Sequence, residues 1–333
     1  FRVLGFEFKV TDLRQSVIRL LLALTICHAV AVNAGQAPLE NIKFGTSALS
    51  PTMAGVWMAK ESGAFERRGI NAELVYISSG AVVVQALVGG SLHAALGASN
   101  AVVAAILKGA PIIAVASNTN RPGMQLWVHP DIARPEQLAG KTLGITRFGS
   151  TSEFVTRLVL RKLNLEGKTE LRQFGGVIEA DIGYRNGQSV GRLSSQSPGG
   201  DARKLLDAAE LGIPFSMNLL AVSSDFLRRA PKMVEGILAA YIEGIAALKL
   251  RKQQAYNLLA KYMGQRGGSA DVHYEFVMKY LEAVPRIEPA AIDTVLEMVG
   301  AKDYSKAKLI DNSIVDRLVQ EGLIEKLYKG TKP

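Results

Sequence analysis

Phe44-Gly45-Thr46-Ser47-Ala48-Leu49-Ser50-Pro51-Thr52 opens a pattern that recurs until Asn120. Each time a short apolar run ends in small polar residues, and a helical run follows. Glu73-Leu74-Val75-Tyr76-Ile77 leads through Ser78-Ser79-Gly80 into Ala81 to Val88. Leu92-His93-Ala94-Ala95-Leu96 leads through Gly97-Ala98-Ser99-Asn100 into Ala101 to Leu107. Pro111 to Ala116 then ends in Ser117-Asn118-Thr119-Asn120. Three β-turn-α units and a fourth strand predict a parallel α/β sheet. In such a sheet, strand C-termini and helix N-termini share the edge where ligands bind. Hydroxyls, amides and free backbone N–H groups collect there, and helix N-termini favour anions. Ser47, Ser50, Thr52, Ser79, Gly80, Ser99, Asn100 and Asn118 are therefore candidate ligand-binding residues. Taken one at a time, the same residues are ordinary N-caps and turns; four such loops on one edge favour a polar cleft.

The second half of the chain adds a comparable loop. Leu143 to Thr146 reads as a strand, and Arg147-Phe148-Gly149-Ser150-Thr151-Ser152 enters a helix with apolar Phe154, Val155, Leu158 and Val159. Glycine permits close backbone approach, and three hydroxyls sit at a helix N-terminus. Gly149, Ser150, Thr151 and Ser152 form the strongest single anion site in the sequence, with Arg147 suited to pair with an anionic ligand. Leu171 to Phe174 reads as a strand ending at Gly175-Gly176, which places Gly176 beside the same edge. Val190-Gly191-Arg192-Leu193 is a weak strand, and Ser194 to Gly200 is unusually polar. Leu205 to Leu211 reads as helical. Met217 to Val222 reads as a strand returning the chain to the first sheet, with Asn218 near the crossover and able to face the cleft. Beyond it Met233, Ile237, Leu238, Tyr241, Ile242, Ile245 and Leu248 recur at helical spacing and predict a buried face.

The 333 residues are enough for two domains, and 48% hydrophobic with 21% charged residues is a globular composition. The net charge of +9 is spread along the chain. No basic helix is interleaved with aromatics, so no nucleic-acid partner is expected. A mildly basic field suits an anionic ligand. Arg14 and Arg19 precede the uncharged run Leu20 to Val32, and Val32-Asn33-Ala34 supplies small residues for cleavage. Residues 1–34 thus read as a secretory signal peptide, and the sole cysteine, Cys27, would leave with it. Gly187-Gln188-Ser189-Val190-Gly191 matches G-x-S-x-G, but no apolar strand precedes it, as a nucleophile elbow requires. His93 has no second histidine at metal spacing and reads as structural. No cofactor, metal site or catalytic residue is expected.

Val56-Trp57-Met58-Ala59-Lys60-Glu61-Ser62-Gly63-Ala64-Phe65-Glu66-Arg67-Arg68-Gly69-Ile70 resembles the A-K-E-x-G-x-F-x-x-x-G-I/L segment of periplasmic substrate-binding proteins. The type is that of nitrate, sulfonate and taurine, with its pyrimidine-precursor-binding relatives. Gln85 to Ala95 is similar to that family's A-L-x-x-G-x-x-D-x-A segment, with His93 where Asp is usual. Lys108-Gly109-Ala110-Pro111-Ile112 and Leu138-Ala139-Gly140-Lys141-Thr142-Leu143-Gly144 agree with two further family segments. The resemblance implies a type II periplasmic binding protein fold: two α/β domains joined by a hinge, with a helical C-terminal tail. Domain I would comprise 40–121 and 219–333, and domain II 122–218, with hinges near 119–124 and 215–220. It implies a periplasmic monomer that takes a small, anionic solute of the sulfonate, nitrate, taurine or carboxylate class into the interdomain cleft. The solute would pass to the permease of an ABC importer. An enzyme on the same scaffold, like the related pyrimidine synthases, is the alternative, but those enzymes carry a cysteine-rich iron motif that the mature chain lacks. A solute-sensing module is the third reading.

Overall fold

The computed structural model describes residues 39–264 and 270–329. The expected signal peptide, with Cys27, lies outside the described residues. Strands β1 (Glu40–Thr46), β2 (Ile70–Tyr76), β3 (Ala94–Ala98) and β4 (Ile112–Ser117) alternate with helices α1 (Ala54–Glu61), α2 (Gly80–Val88) and α3 (Ser99–Leu107). The chain then builds a second sheet. Its strands are β5 (Gln125–Val128), β6 (Thr142–Ile145), β7 (Glu170–Gln173), β8 (Gly191–Ser194) and β9 (Arg203–Asp207). Helices α4 (Thr151–Lys162) and α5 (Val177–Arg185) lie among them. Strand β10 (Asn218–Ser223) returns to the first sheet and leads into the short helix α6 (Ser224–Arg229).

The sheet orders are β2-β1-β3-β10-β4 and β7-β6-β8-β5-β9. The first sheet is therefore mixed rather than parallel. Strands β1 to β3 run together, and β10 lies antiparallel between β3 and β4. The direction of β10 follows from the crossover. The chain re-enters at the edge where the other strands end, so it must run the opposite way. β5 does the same in the second sheet, antiparallel to β8 and β9. The expected helix over Leu205 to Leu211 is also corrected. Arg203–Asp207 pairs with β5 as a strand, and only Ala208–Leu211 turns, as a 3-10 segment. Tertiary pairing there overrides a locally helix-compatible run of Leu and Ala. The poorly patterned stretch before it contains β8, which sits at the centre of the second sheet.

Alternation along the first sheet sends residues to two cores. Phe44, Leu96, Leu220 and Val222 face one side, and Ala95, Leu219 and Ala221 the other. The first side is covered by α1 and by C-terminal helices α7 (Pro231–Leu250), α8 (Lys252–Met263) and α9 (Ala270–Tyr280). Helices α1 and α7 cross at Gly55 and Gly244, where a Cβ on Gly244 would run into the Gly55 carbonyl oxygen. The buried face expected on Met233 to Leu248 is α7, and all its named residues but the part-buried Met233 are fully buried. The other side is covered by α2, α3 and α10 (Pro289–Met298) in a core continuous with that under the second sheet.

Candidate functional site

The C-terminal edges of the two sheets face each other, and the loops leaving them enclose one polar cleft. From the first sheet come Ser47, Ser50 and Thr52, after β1, and Ser79-Gly80, at the start of α2. From the second come Thr146, Ser150, Thr151 and Ser152, after β6, and Arg192, Ser194 and Ser195, at the end of β8. Asn218 closes the floor from the crossover. The N-terminal ends of four helices reach the lining: α1 through Thr52 in the 3-10 turn before it, α2 at Gly80, α4 at Thr151 and α5 at Val177. Their aligned first-turn dipoles give the cleft a positive end-on field.

The hydroxyls hold one another. Ser50 Oγ and Thr52 Oγ1 are 2.6 Å apart. Thr146 Oγ1 lies 2.9 Å from Ser150 Oγ and 3.0 Å from Ser152 Oγ, and the two serine hydroxyls are 3.0 Å apart. Ser150 also caps α4, accepting from the Glu153 N–H at 3.4 Å. Glu153 in turn accepts from the Gly149 N–H at 2.6 Å and from Arg157 at 2.7 Å, so its charge is matched outside the cleft. Ser79 adopts φ 99°, a conformation that side chains other than glycine avoid. Its hydroxyl accepts from the Ala81 N–H at 3.4 Å. Gly80 beside it has no room for a side chain, since a Cβ would come within 2.7 Å of the Ala98 nitrogen.

Arg192 is the sole charged residue in the lining. It is 2% exposed. Its guanidinium donates to the Val177 carbonyl at 2.9 Å, to Ser194 Oγ at 3.3 Å and, in an ion pair, to Asp181 on α5. Its Nε has no partner. Burial pushes the Asp181 carboxyl up, against the pull of Arg192 and Arg185.

Bonds across the cleft hold the two sheets together at their facing edges. Asn100 Nδ2 donates to the Gly149 carbonyl at 2.7 Å, and Ser78 Oγ to the Gly175 carbonyl at 3.1 Å. Thr151 Oγ1 donates to the Met217 carbonyl at 3.1 Å. The space enclosed is about 50 Å³. The two crossovers are tied to each other. Asn118 Nδ2 donates to Asn218 Oδ1 at 3.2 Å, the Asn218 N–H to Asn118 Oδ1 at 3.1 Å and the Asn118 N–H to the Asn218 carbonyl at 3.1 Å.

Of the sequence-derived candidates, Ser47, Ser50, Thr52, Ser79, Gly80, Ser150, Thr151, Ser152 and Asn218 meet in the lining. The others do not line it. Ser99 is fully buried at the start of α3. Asn100 and Gly149 form a bridge across the mouth. Asn118 lies beneath the floor, and Arg147 is exposed outside. Gly176 caps α5 next to Ser78 of the opposite edge. Thr146, Arg192, Ser194 and Ser195 were not among the candidates. Thr146 obeys the same strand-end rule as Thr46-Ser47 and was legible on that ground. Arg192 carries no local signal, because its ion-pair partner stands on a helix of different period. His93 accepts from the Lys43 N–H at 3.0 Å and packs edge-on against Phe226 at 5.5 Å. Ser189 precedes β8 instead of following a strand, so the G-x-S-x-G match is not an elbow. Among the described residues, no group of acidic, histidine or cysteine side chains is placed to hold a metal.

The architecture is that of periplasmic binding proteins. A protein of Bordetella bronchiseptica RB50 matches with TM-score 0.72 at 19% identity, over 87% of this chain and 98% of its own. The ligand-binding component of an ABC-type import system from Staphylococcus aureus matches with TM-score 0.70 at 16% identity, over 83% and 98%. The periplasmic aliphatic sulphonate binding protein of Escherichia coli matches with TM-score 0.64 at 17% identity, over 86% and 89%. Among curated proteins, none matches the chain. The family model described as NMT1/THI5 like matches residues 50–255, which include every residue of the cleft lining except Ser47 and Ala48. The chain belongs to the NMT1/THI5-like family.

Proposed function

We propose that this chain is a periplasmic solute-binding protein that captures a small organic or inorganic anion between its two sheets and delivers it to an ABC importer. The observation that carries this reading is the composition of the cleft. Hydroxyls and one amide from both sheets converge with four helix N-termini on a space where Arg192 is the sole charged side chain. A sulfonate, nitrate or carboxylate head group presents the acceptor oxygens that such donors suit. The lining holds no histidine, cysteine, lysine or carboxylate to act as nucleophile or base, so the reading is binding without covalent chemistry. The likeness to import components and to a sulphonate-binding protein supports it.

The chain divides at residues 122–218 into a second domain that rocks on the crossovers. The enclosed space of about 50 Å³ is well below the roughly 300 Å³ at which ligand pockets begin. A solute therefore enters when the Asn100–Gly149 and Ser78–Gly175 bonds open, and closure re-forms them around it. The closed monomer presents the composite surface that a permease reads.

The test is a thermal-shift and calorimetric screen of the protein from Gly35 onward with nitrate, taurine, alkanesulfonates, small carboxylates and pyrimidines. A ligand present at about 100 times its dissociation constant adds roughly 2.7 kcal/mol of stability, a clear rise in melting temperature. Binding that weakens in Ser150→Ala places the ligand in the cleft. Folded protein that none of these compounds shifts would overturn the proposal.

A further inference from the structure

The end of α9 grips both crossovers where they join the second sheet. The first crossover enters β5 at Gln125, the second leaves β9 at Asp207, and these two residues are paired in register. The Tyr280 hydroxyl, at the end of α9, donates to the Asp207 carboxylate and accepts from Gln125 Nε2 at 3.1 Å. Lys279 adds an ion pair to Asp207 at 2.8 Å. The Tyr280 ring lies so close to the first crossover that a Cβ on Gly123 would come within 3.0 Å of it. Arg121 Nη2 donates to the Lys279 carbonyl at 2.6 Å, and the Asn120 N–H to the Glu282 carboxylate at 3.2 Å. Beyond this bonded point, α9 and the β5–β9 flank part around a crevice of about 240 Å³. Trp127 and Lys204 stand on one wall, and Val272 and Glu275 on the other. Lys204, Val272 and Glu275 are exposed, so the crevice opens to solvent. The gap is a wedge, bonded at its apex and open at its mouth.

We propose that Tyr280 is a positioning residue, the fulcrum on which the second sheet rocks, and that the wedge is the room into which the β5–β9 flank swings when the jaws part. The inference rests on the proposed rocking of residues 122–218. In the order β7-β6-β8-β5-β9, the cleft loops leave β6 and β8 on one side of the fulcrum, and the wedge lies against β5 and β9 on the other. A stiff body turning on a point between two gaps narrows one as it widens the other. Bulk placed in the wedge therefore obstructs the open state and spares the closed state, in which the room is free. Apparent affinity scales with the fraction of protein in the competent state. The wedge thus sets how tightly the cleft holds its solute from a place the solute never touches.

The test needs no ligand. The protein from Gly35 onward has no cysteine, so spin labels at Val88→Cys and Ile182→Cys, exposed on α2 and α5, read the distance between the jaws. Ser78→Ala with Asn100→Ala removes the bonds that close the mouth, and the distance is expected to lengthen. Adding Val272→Trp, which fills the wedge, is expected to return it to that of the labelled protein with its mouth bonds intact. Glu275→Trp, on the same wall, serves if Val272→Trp does not fold. Met278→Trp, exposed on α9 but outside the wedge, is expected to leave the lengthened distance as it is. A distance that lengthens and stays long with the wedge filled overturns the inference and leaves the rocking intact, as does one that Met278→Trp restores equally well. A distance that does not lengthen when the mouth bonds are cut means that the jaws do not rock, and overturns both.

Discussion

β3 and β8 occupy the same place in their sheets, each between the strand that precedes the main hydroxyl loop and the strand that runs backwards. β3 reads Ala94-Ala95-Leu96-Gly97-Ala98 and is buried throughout. β8 reads Gly191-Arg192-Leu193-Ser194 and is also buried throughout, yet it carries a guanidinium into the cleft. The first-sheet jaw is thus neutral, built from hydroxyls and helix ends on an apolar support. The second-sheet jaw has the same layout and adds a buried ion pair. One strand plan accommodates both because Asp181, from the helix covering β8, supplies the opposite charge. The fold repeats the geometry of a site without repeating its electrostatics.

The contrast can be broken most forcefully at Arg192. Arg192→Met leaves the Asp181 carboxyl buried without its partner, and a loss of about 3–5 kcal/mol is expected in denaturant unfolding. Adding Asp181→Leu should recover most of that stability but not ligand affinity, which separates the structural role of the pair from the proposed binding role. A smaller effect is expected at the helix-start glycines. A Cβ at Gly80 meets the backbone of Ala98, so Gly80→Ala should cost about 1–3 kcal/mol. At Gly176, the counterpart on α5, the obstacles are the mobile tips of Ser78 and Glu179. Gly176→Ala should therefore spare folding and impair closure, read as weaker ligand binding at an unchanged melting temperature.

Acid gives a third comparison, within the second-sheet half. Burial acts to raise the Asp207 carboxyl, but hydrogen bonds from Lys279, Tyr280 and the Ala209 N–H outweigh it and hold Asp207 below the ordinary range. Its folded pKa lies under its unfolded one. Its contribution is complete above the usual carboxylate value, about pH 4, and is lost as pH falls through the folded value. Asp181 has the opposite sign, raised by burial, and what it adds fades as pH rises through its folded value. Asp207→Asn should flatten the fall in melting temperature below about pH 4, whereas Asp181→Asn should not. The smallest effect belongs to the neutral jaw. Ser99 is fully buried and its hydroxyl has no partner, so Ser99→Ala should change stability by no more than about 0.5 kcal/mol. It should leave binding alone, while Ser150→Ala weakens binding by about 1 kcal/mol in calorimetry.

How far the sequence could be read follows the same division. In the first sheet each strand is a short apolar run, each turn is small and polar, and local preference agrees with tertiary placement. Ser47, Ser50, Thr52, Ser79 and Gly80 could be found there because strand ends declare themselves. In the second half the loop from Gly149 to Ser152 announces itself in the same way. β8 does not, because a strand of four residues with an arginine inside it has neither the period nor the composition of a buried strand. Its stability comes from α5 and from pairing with β5 and β6, contacts that no local window contains. Asn118 misled in the opposite sense. It stands at a strand end as a ligand residue should, yet its amide is spent on Asn218.

That amide pair has a mechanical meaning. Two separate covalent connections between rigid bodies would allow them to bend, twist and shear in several independent ways. Three hydrogen bonds between Asn118 and Asn218 fuse the connections into one strap, and a strap can flex about a single line. In the proposed closure, opening and closing would then trace one path with few side excursions, leaving little orientational freedom to be frozen when the jaws meet.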